Sequence, residues 1–154
     1  MSESVSAKLA ELGLALPQSA APMANYVPFV RTGNLLHVSG QVAIRDGKIV
    51  EGKLGDTMSV EDGAKAAELC ALSLMAQVSA ACDGDFDKLV RVVKLVGFVN
   101  STLDFTDQPK VINGASDLMV AVLGDRGRHA RSAVSAASLP FGVAVEGEGI
   151  FERA

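Results

Sequence analysis

The run LVRVVKLVGFVN at 89–100 constrains this chain more than any other stretch. It is rich in Val and nearly apolar on both faces, the pattern of a strand inside a sheet with both faces covered. The chain supplies helices for one of those faces. Ser59 reads as an N-cap, with Glu61 and Asp62 in the first turn to complement the helix dipole. Beyond it, Ala64, Ala67, Cys70, Ala71, Leu74, Met75 and Val78 recur at i, i+3, i+4, and Asp83-Gly84 ends the run. Residues 108–123 read as a second helix, with Pro109 in its first turn and Gly124-Asp125-Arg126-Gly127 after its end.

Shorter β patterns surround these elements. YVPFVR and NLLHVSGQV flank Thr32-Gly33-Asn34, a hairpin signal, and Asp46-Gly47 centres a second tight turn. RSAVSAAS and VAVEGEGIFE are separated by Leu139-Pro140-Phe141-Gly142, and residues 3–14 read as a short amphipathic helix ended by Gly13. The order hairpin, helix, strand, helix, strand, strand predicts an α+β domain: a mostly antiparallel sheet with two helices packed on one face. The other face then stays open unless a partner covers it, so the chain is expected to be an oligomer. At 154 residues a single domain, 1–154, is expected.

With 49% apolar residues and no Trp, the core must be aliphatic. A net charge of -4 repels phosphate backbones, which argues against a nucleic-acid partner. No apolar run reaches the ~18 residues of a membrane span, so no membrane partner is expected. The opening MSESVSAKLAELG carries acids where a signal peptide needs a basic start, so a cytoplasmic location is expected. Cys70 and Cys82 lie on one helical segment, roughly 18 Å apart along its axis. That exceeds the reach of a disulfide, ~7 Å between Cα atoms, and predicts two reduced thiols.

Two residues stand out as carriers of chemistry. Arg131 opens a strand of small residues, where a planar guanidinium can reach into a cavity and grip a carboxylate in bidentate fashion. Glu146 interrupts the last strand on the face shared by Ala144, Glu148 and Ile150. It reads either as an exposed sheet acid or as a carboxylate that orients or deprotonates a water. Arg126 and Arg128 read as a solvated basic turn at a helix C-terminus. His37 and His129 are far apart in sequence and read as structural or solvent-facing, which supports neither a zinc site nor a Ser-His-Asp triad. No metal and no cofactor are expected.

The segment ARSAVSAASLPFGVAVE at 130–146 resembles the C-terminal signature of the reactive-intermediate deaminase (RidA, YjgF-like) family, also named for endoribonuclease L-PSP. GNLLHVSGQ at 33–41 resembles its second motif, Lys110-Val111-Ile112-Asn113 a helix start of the family, and Asn25-Tyr26-Val27 its early Tyr region. Together these cover most of residues 25–152 in order. The resemblance implies a chorismate-mutase-like fold, a homotrimer with pockets between subunits, and hydrolysis of reactive enamine or imine intermediates of amino-acid metabolism to 2-oxo acids and ammonia. It assigns Arg131 to the substrate carboxylate and Glu146 to the attacking water, with Tyr26, Ser39, Gly40 and Asn113 lining the pocket. It also makes residues 1–20 an N-terminal helical extension. Where the family's deaminases usually carry Cys or Thr two residues after the Arg, this chain has Ala133. The alternative is therefore a non-catalytic binder of 2-oxo acids or similar small carboxylates in the same cleft. RNA cleavage, attached by name to some relatives, is disfavoured by the acidic balance and the lack of a His pair.

Overall fold

The computed structural model describes residues 2–19, 21 and 24–154. The run at 89–100 is a single strand, β5 (Leu89–Asn100), with a neighbour on each side. Around it β1 (Phe29–Thr32), β2 (Leu35–Val42), β6 (Ala130–Ala136) and β7 (Val145–Arg153) complete a five-stranded sheet in the order β1-β2-β7-β5-β6. β5 and β6 run parallel and the other pairs antiparallel. The parallel pair follows from its connection, since α3 (Gln108–Leu123) carries the chain back across the sheet between the two strands. The little hairpin β3 (Ile44–Arg45) and β4 (Lys48–Ile49) turns through Asp46 and Gly47, both at positive φ as a two-residue loop of this type demands.

α2 (Val60–Ala81) starts where Ser59 Oγ accepts the amide N–H of Asp62, and its apolar stripe packs on the sheet with α3. α1 (Ser2–Glu11) adds a third helix to that side: Val5 and Leu9 are buried in the same core. The helix thus ends at Glu11, two residues before Gly13, whose φ of +71° turns the chain away. α2 and α3 approach closely at Gly114, where a Cβ would overlap the Ala64 carbonyl. Both cysteines are free and buried.

Strand register sorts the sheet into two faces. Val145, Gly147, Gly149 and Phe151 of β7 are buried under the helices, as are Leu95 and Val99 of β5. Glu146, Glu148 and Ile150 point the other way, together with Val96 and Phe98 of β5, His37 of β2 and Val134 of β6. Among the described residues no helix covers this second face, and Val30 and Val134 on it are about half exposed. Arg126 departs from the solvated-turn reading. Its Nη1 donates to the carbonyls of Phe86 and Leu89, both at 2.8 Å, and ties the end of α3 to the start of β5. Arg128 is exposed and faces Asp125 at 3.5 Å. Among the described residues no helix is long and apolar enough to cross a membrane.

Candidate functional site

The six site residues named from the sequence fall into two groups within one chain. Arg131 pairs across the parallel ladder with Leu95, a helix-side residue, and its side chain lies against α3. Nη1 donates to Asn113 Oδ1 at 2.8 Å and to Ser116 Oγ at 3.1 Å, while Nη2 reaches the Pro109 carbonyl at 3.5 Å. Asn113 and Ser116 share a helix face because they are three residues apart. All three acceptors are neutral, and no carboxylate of the described residues pairs with Arg131. Both hydrogens of Nη1 are engaged, so the guanidinium plane is fixed while its Nε side has no partner among the described residues.

Ala133 and Ser135 follow Arg131 on the same side of β6. Ala133 is partly buried against the core, and Ser135 Oγ joins Ser101 Oγ at 2.6 Å and Gln108 Nε2 at 2.7 Å. Sequence reasoning singled out neither Ser116 nor Gln108. The available signal was the i, i+3 spacing of Asn113 and Ser116 on a helix beginning at Gln108.

The second group lies on the other side of the molecule. A cleft of about 650 Å³ runs beside β2 and takes in Tyr26, Ser39, Gly40 and Glu146. Its walls include Val42, Ile44, Ile49, Pro140 and Phe141, so they are largely apolar. The local sequence explains the opening: the β2–β7 register slips between Val38 and Gln41, a bulge that releases Ser39 and Gly40 from the ladder. Ser39 Oγ donates to the Val27 carbonyl at 2.8 Å and fastens the segment carrying Tyr26, which is 57% exposed. A Cβ at position 40 would overlap Glu146 Oε2, so glycine there is what admits the carboxylate. Burial, with a smaller contribution from Glu148, pushes the Glu146 pKa up from its ordinary value.

Arg131 and Glu146 are thus not brought together within one chain. They point to opposite faces of the sheet, on strands separated by β5, with Glu146 paired to Phe98 and Arg131 to Leu95. One half supplies a held cation, the other a half-buried carboxylate in an apolar cleft. His37 lies on β2, well separated from His129, and no cluster of His, Cys, Asp or Glu among the described residues is arranged to hold a metal ion.

The chain matches, over residues 6–145, the family described as "YjgF/chorismate mutase-like, putative endoribonuclease", and it belongs to that family. It is 51% identical over 150 residues to Protein TCP17 of Trypanosoma cruzi, covering 96% of this chain and 93% of the relative. Among solved structures it resembles Atu1372 of Agrobacterium tumefaciens, described as of unknown function, with a TM-score of 0.94, 51% identity, and coverage of 99% of this chain and 94% of the other. It also resembles the YjgF gene product of E. coli, with a TM-score of 0.63, 26% identity, and coverage of 89% and 94%. The fold is therefore the YjgF/chorismate-mutase-like one, with three helices among the described residues and a mostly antiparallel mixed sheet.

Proposed function

We propose that this protein hydrolyses reactive enamine or imine intermediates to 2-oxo acids and ammonia, in clefts completed between the copies of a homotrimer. The observation that carries the reading is the state of Arg131. It is a guanidinium oriented by three neutral acceptors, with no carboxylate partner and no partner on its Nε side among the described residues. Such a group is prepared for an anionic ligand, and the Nε–Nη2 edge matches the two oxygens of a carboxylate.

The division of the site supports the oligomer. Arg131 lies on β6, an edge of the sheet, and Glu146 on the face that no described helix covers. A neighbouring copy laid along that edge would bring its own cleft, with Glu146, Tyr26 and Ser39, up to Arg131. In the joined site Arg131 holds the substrate carboxylate while Glu146 takes a proton from water. The water oxygen bonds to the imine carbon, and Glu146 passes the proton it took to the nitrogen. The resulting carbinolamine gives up its hydroxyl proton to Glu146, which delivers it to the nitrogen; the C–N bond breaks, ammonia leaves, and a 2-oxo acid remains. An imine is already electrophilic, so positioning supplies most of what the reaction needs and no cofactor is invoked.

The test generates 2-iminobutyrate in situ and follows its disappearance with and without protein. Wild type is expected to accelerate hydrolysis and Arg131→Ala to abolish the acceleration; identical rates would sink the proposal. Light scattering should give about three times the 15.9 kDa chain mass.

Ala133 favours a second reading, because its methyl group cannot hold a water or a polar substrate atom. In that reading the same cleft binds 2-oxo acids without turnover. Calorimetry with 2-oxobutyrate that shows Arg131-dependent binding, beside an unchanged rate of imine hydrolysis, would select it.

A further inference from the structure

We infer that His129 is a positioning residue for the Arg131 guanidinium, acting through the hydroxyl of Ser116; the inference rests on the reading of Arg131 as the carboxylate anchor. The imidazole lies between two oxygens. Nδ1 is 2.6 Å from the Gly127 carbonyl and Nε2 is 2.9 Å from Ser116 Oγ. A carbonyl can only accept, so at that distance Nδ1 must carry the hydrogen. In the neutral ring Nε2 is then a lone pair, and the Ser116 hydroxyl must donate to it. With its one proton committed, Ser116 turns its oxygen lone pairs outward, and Arg131 Nη1 donates to one of them at 3.1 Å.

Each link fixes the direction of the next, from carbonyl to ring tautomer to hydroxyl to guanidinium. The starting point is itself rigid: Gly127 is buried, and a Cβ there would overlap the Met119 carbonyl of α3. The opposite tautomer would set the Nδ1 lone pair against the Gly127 oxygen and aim two donors at Ser116. Asn113 takes the other hydrogen of Nη1. His129 therefore decides whether a long, flexible side chain is already in its binding orientation, which raises affinity by removing an ordering cost.

The experiment uses the full chain. Long-range proton–nitrogen NMR reads the tautomer of each imidazole, with His37→Gln assigning the second ring. Calorimetry with 2-oxobutyrate reads affinity in wild type, Arg131→Ala, Ser116→Ala, His129→Gln, His129→Asn and the Ser116→Ala/His129→Asn double variant. The Nδ1–H tautomer is expected in the wild type. Ser116→Ala and His129→Asn should each weaken binding by about fivefold, the effect of one net hydrogen bond. His129→Gln should bind like wild type, because its amide oxygen reaches the place of Nε2. The double variant should be no weaker than Ser116→Ala alone, since His129 acts only through that hydroxyl.

An Nε2–H ring overturns the relay whatever the affinities. So does wild-type binding by a folded His129→Asn, or loss by His129→Gln as large as by His129→Asn. Binding that survives Arg131→Ala removes the anchor instead, and the proposed function with it, even where the ring carries the expected proton.

Discussion

Substituting Gly40 by Ala should separate catalysis from stability. The residue is exposed on the β2 bulge and is not among the glycines at positive φ, so its backbone accepts an L side chain. The new Cβ would meet the far end of the Glu146 side chain rather than any backbone atom. Replacing Gly in a compatible conformation restricts the unfolded chain and stabilises by about 0.4–1 kcal/mol. Pushing the Glu146 carboxylate off its rotamer costs about 0.5–1.5 kcal/mol. The two nearly cancel, so the melting temperature should move by no more than about 2–4 °C, the shift that 1 kcal/mol produces in a domain of this size. The carboxylate, however, must retreat by roughly 1 Å, a displacement that can reduce a reaction rate about a hundredfold. Thermal unfolding followed by circular dichroism, beside kcat/KM for 2-iminobutyrate, reads both quantities. A variant with wild-type kcat/KM shows that the position of Glu146 is irrelevant to the reaction. One that melts far lower shows that the glycine serves the fold.

Glu146 also sets an expected pH dependence. In the proposed reaction Glu146 accepts a proton from water; burial and Glu148 raise its pKa, so the acid limb of kcat/KM should lie above the ordinary glutamate range and vanish in Glu146→Gln. The same raised pKa favours the protonated fold. Its stability contribution is complete below the unfolded value and lost as pH rises through the folded one, so Glu146→Gln should gain on wild type in urea midpoint above that point. Gly114→Ala places a methyl group against the Ala64 carbonyl and forces α2 and α3 apart; a loss of about 1–3 kcal/mol or more is expected in urea unfolding, and an unchanged midpoint would contradict the close approach. Burial pushes up the pKa of both Cys70 and Cys82, so Ellman's reagent should label the native chain slowly and both thiols promptly in denaturant; rapid native labelling of Cys70 would refute its burial.

The elements whose physics is local were readable from the sequence. β5 spans 89–100 and α3 spans 108–123, the bounds that apolar patterning and the Pro109 and Gly124 signals predict. Ser59 caps α2 as its spacing to Asp62 suggests. What could not be read depends on partners distant in the chain. Arg126 resembles a solvated turn residue until the start of β5 and the turn before it are laid beside it and offer the carbonyls of Leu89 and Phe86, 37 and 40 positions away. Lys53 Nζ binds Asn100 Oδ1 and the Ala137 carbonyl, contacts that no window of neighbouring residues contains. Candidate site residues could be named from the sequence, but their arrangement could not. Period-two alternation assigns Arg131 and Glu146 to faces within their own strands, but the pairing of β6 with β5 and of β5 with β7 decides that those faces are opposite. The tautomer of His129 depends on Gly127 and Ser116, one in a turn and one on a helix, and leaves no periodic trace.

In the proposed reaction, the placing of Arg131 and Glu146 on opposite sides of one sheet would make activity a property of protein concentration as well as of sequence. Where copies must meet to complete a cleft, mass action governs how many working sites a given amount of chain contains. Diluted below the dissociation constant of that assembly, the protein would keep its helices and its core and still fall silent, with every residue present and no site assembled, and its melting temperature would fall with concentration as well. Specific activity measured across a dilution series would then trace assembly directly, and a substitution on the uncovered face far from either half-site could disable the chemistry without touching a reacting group.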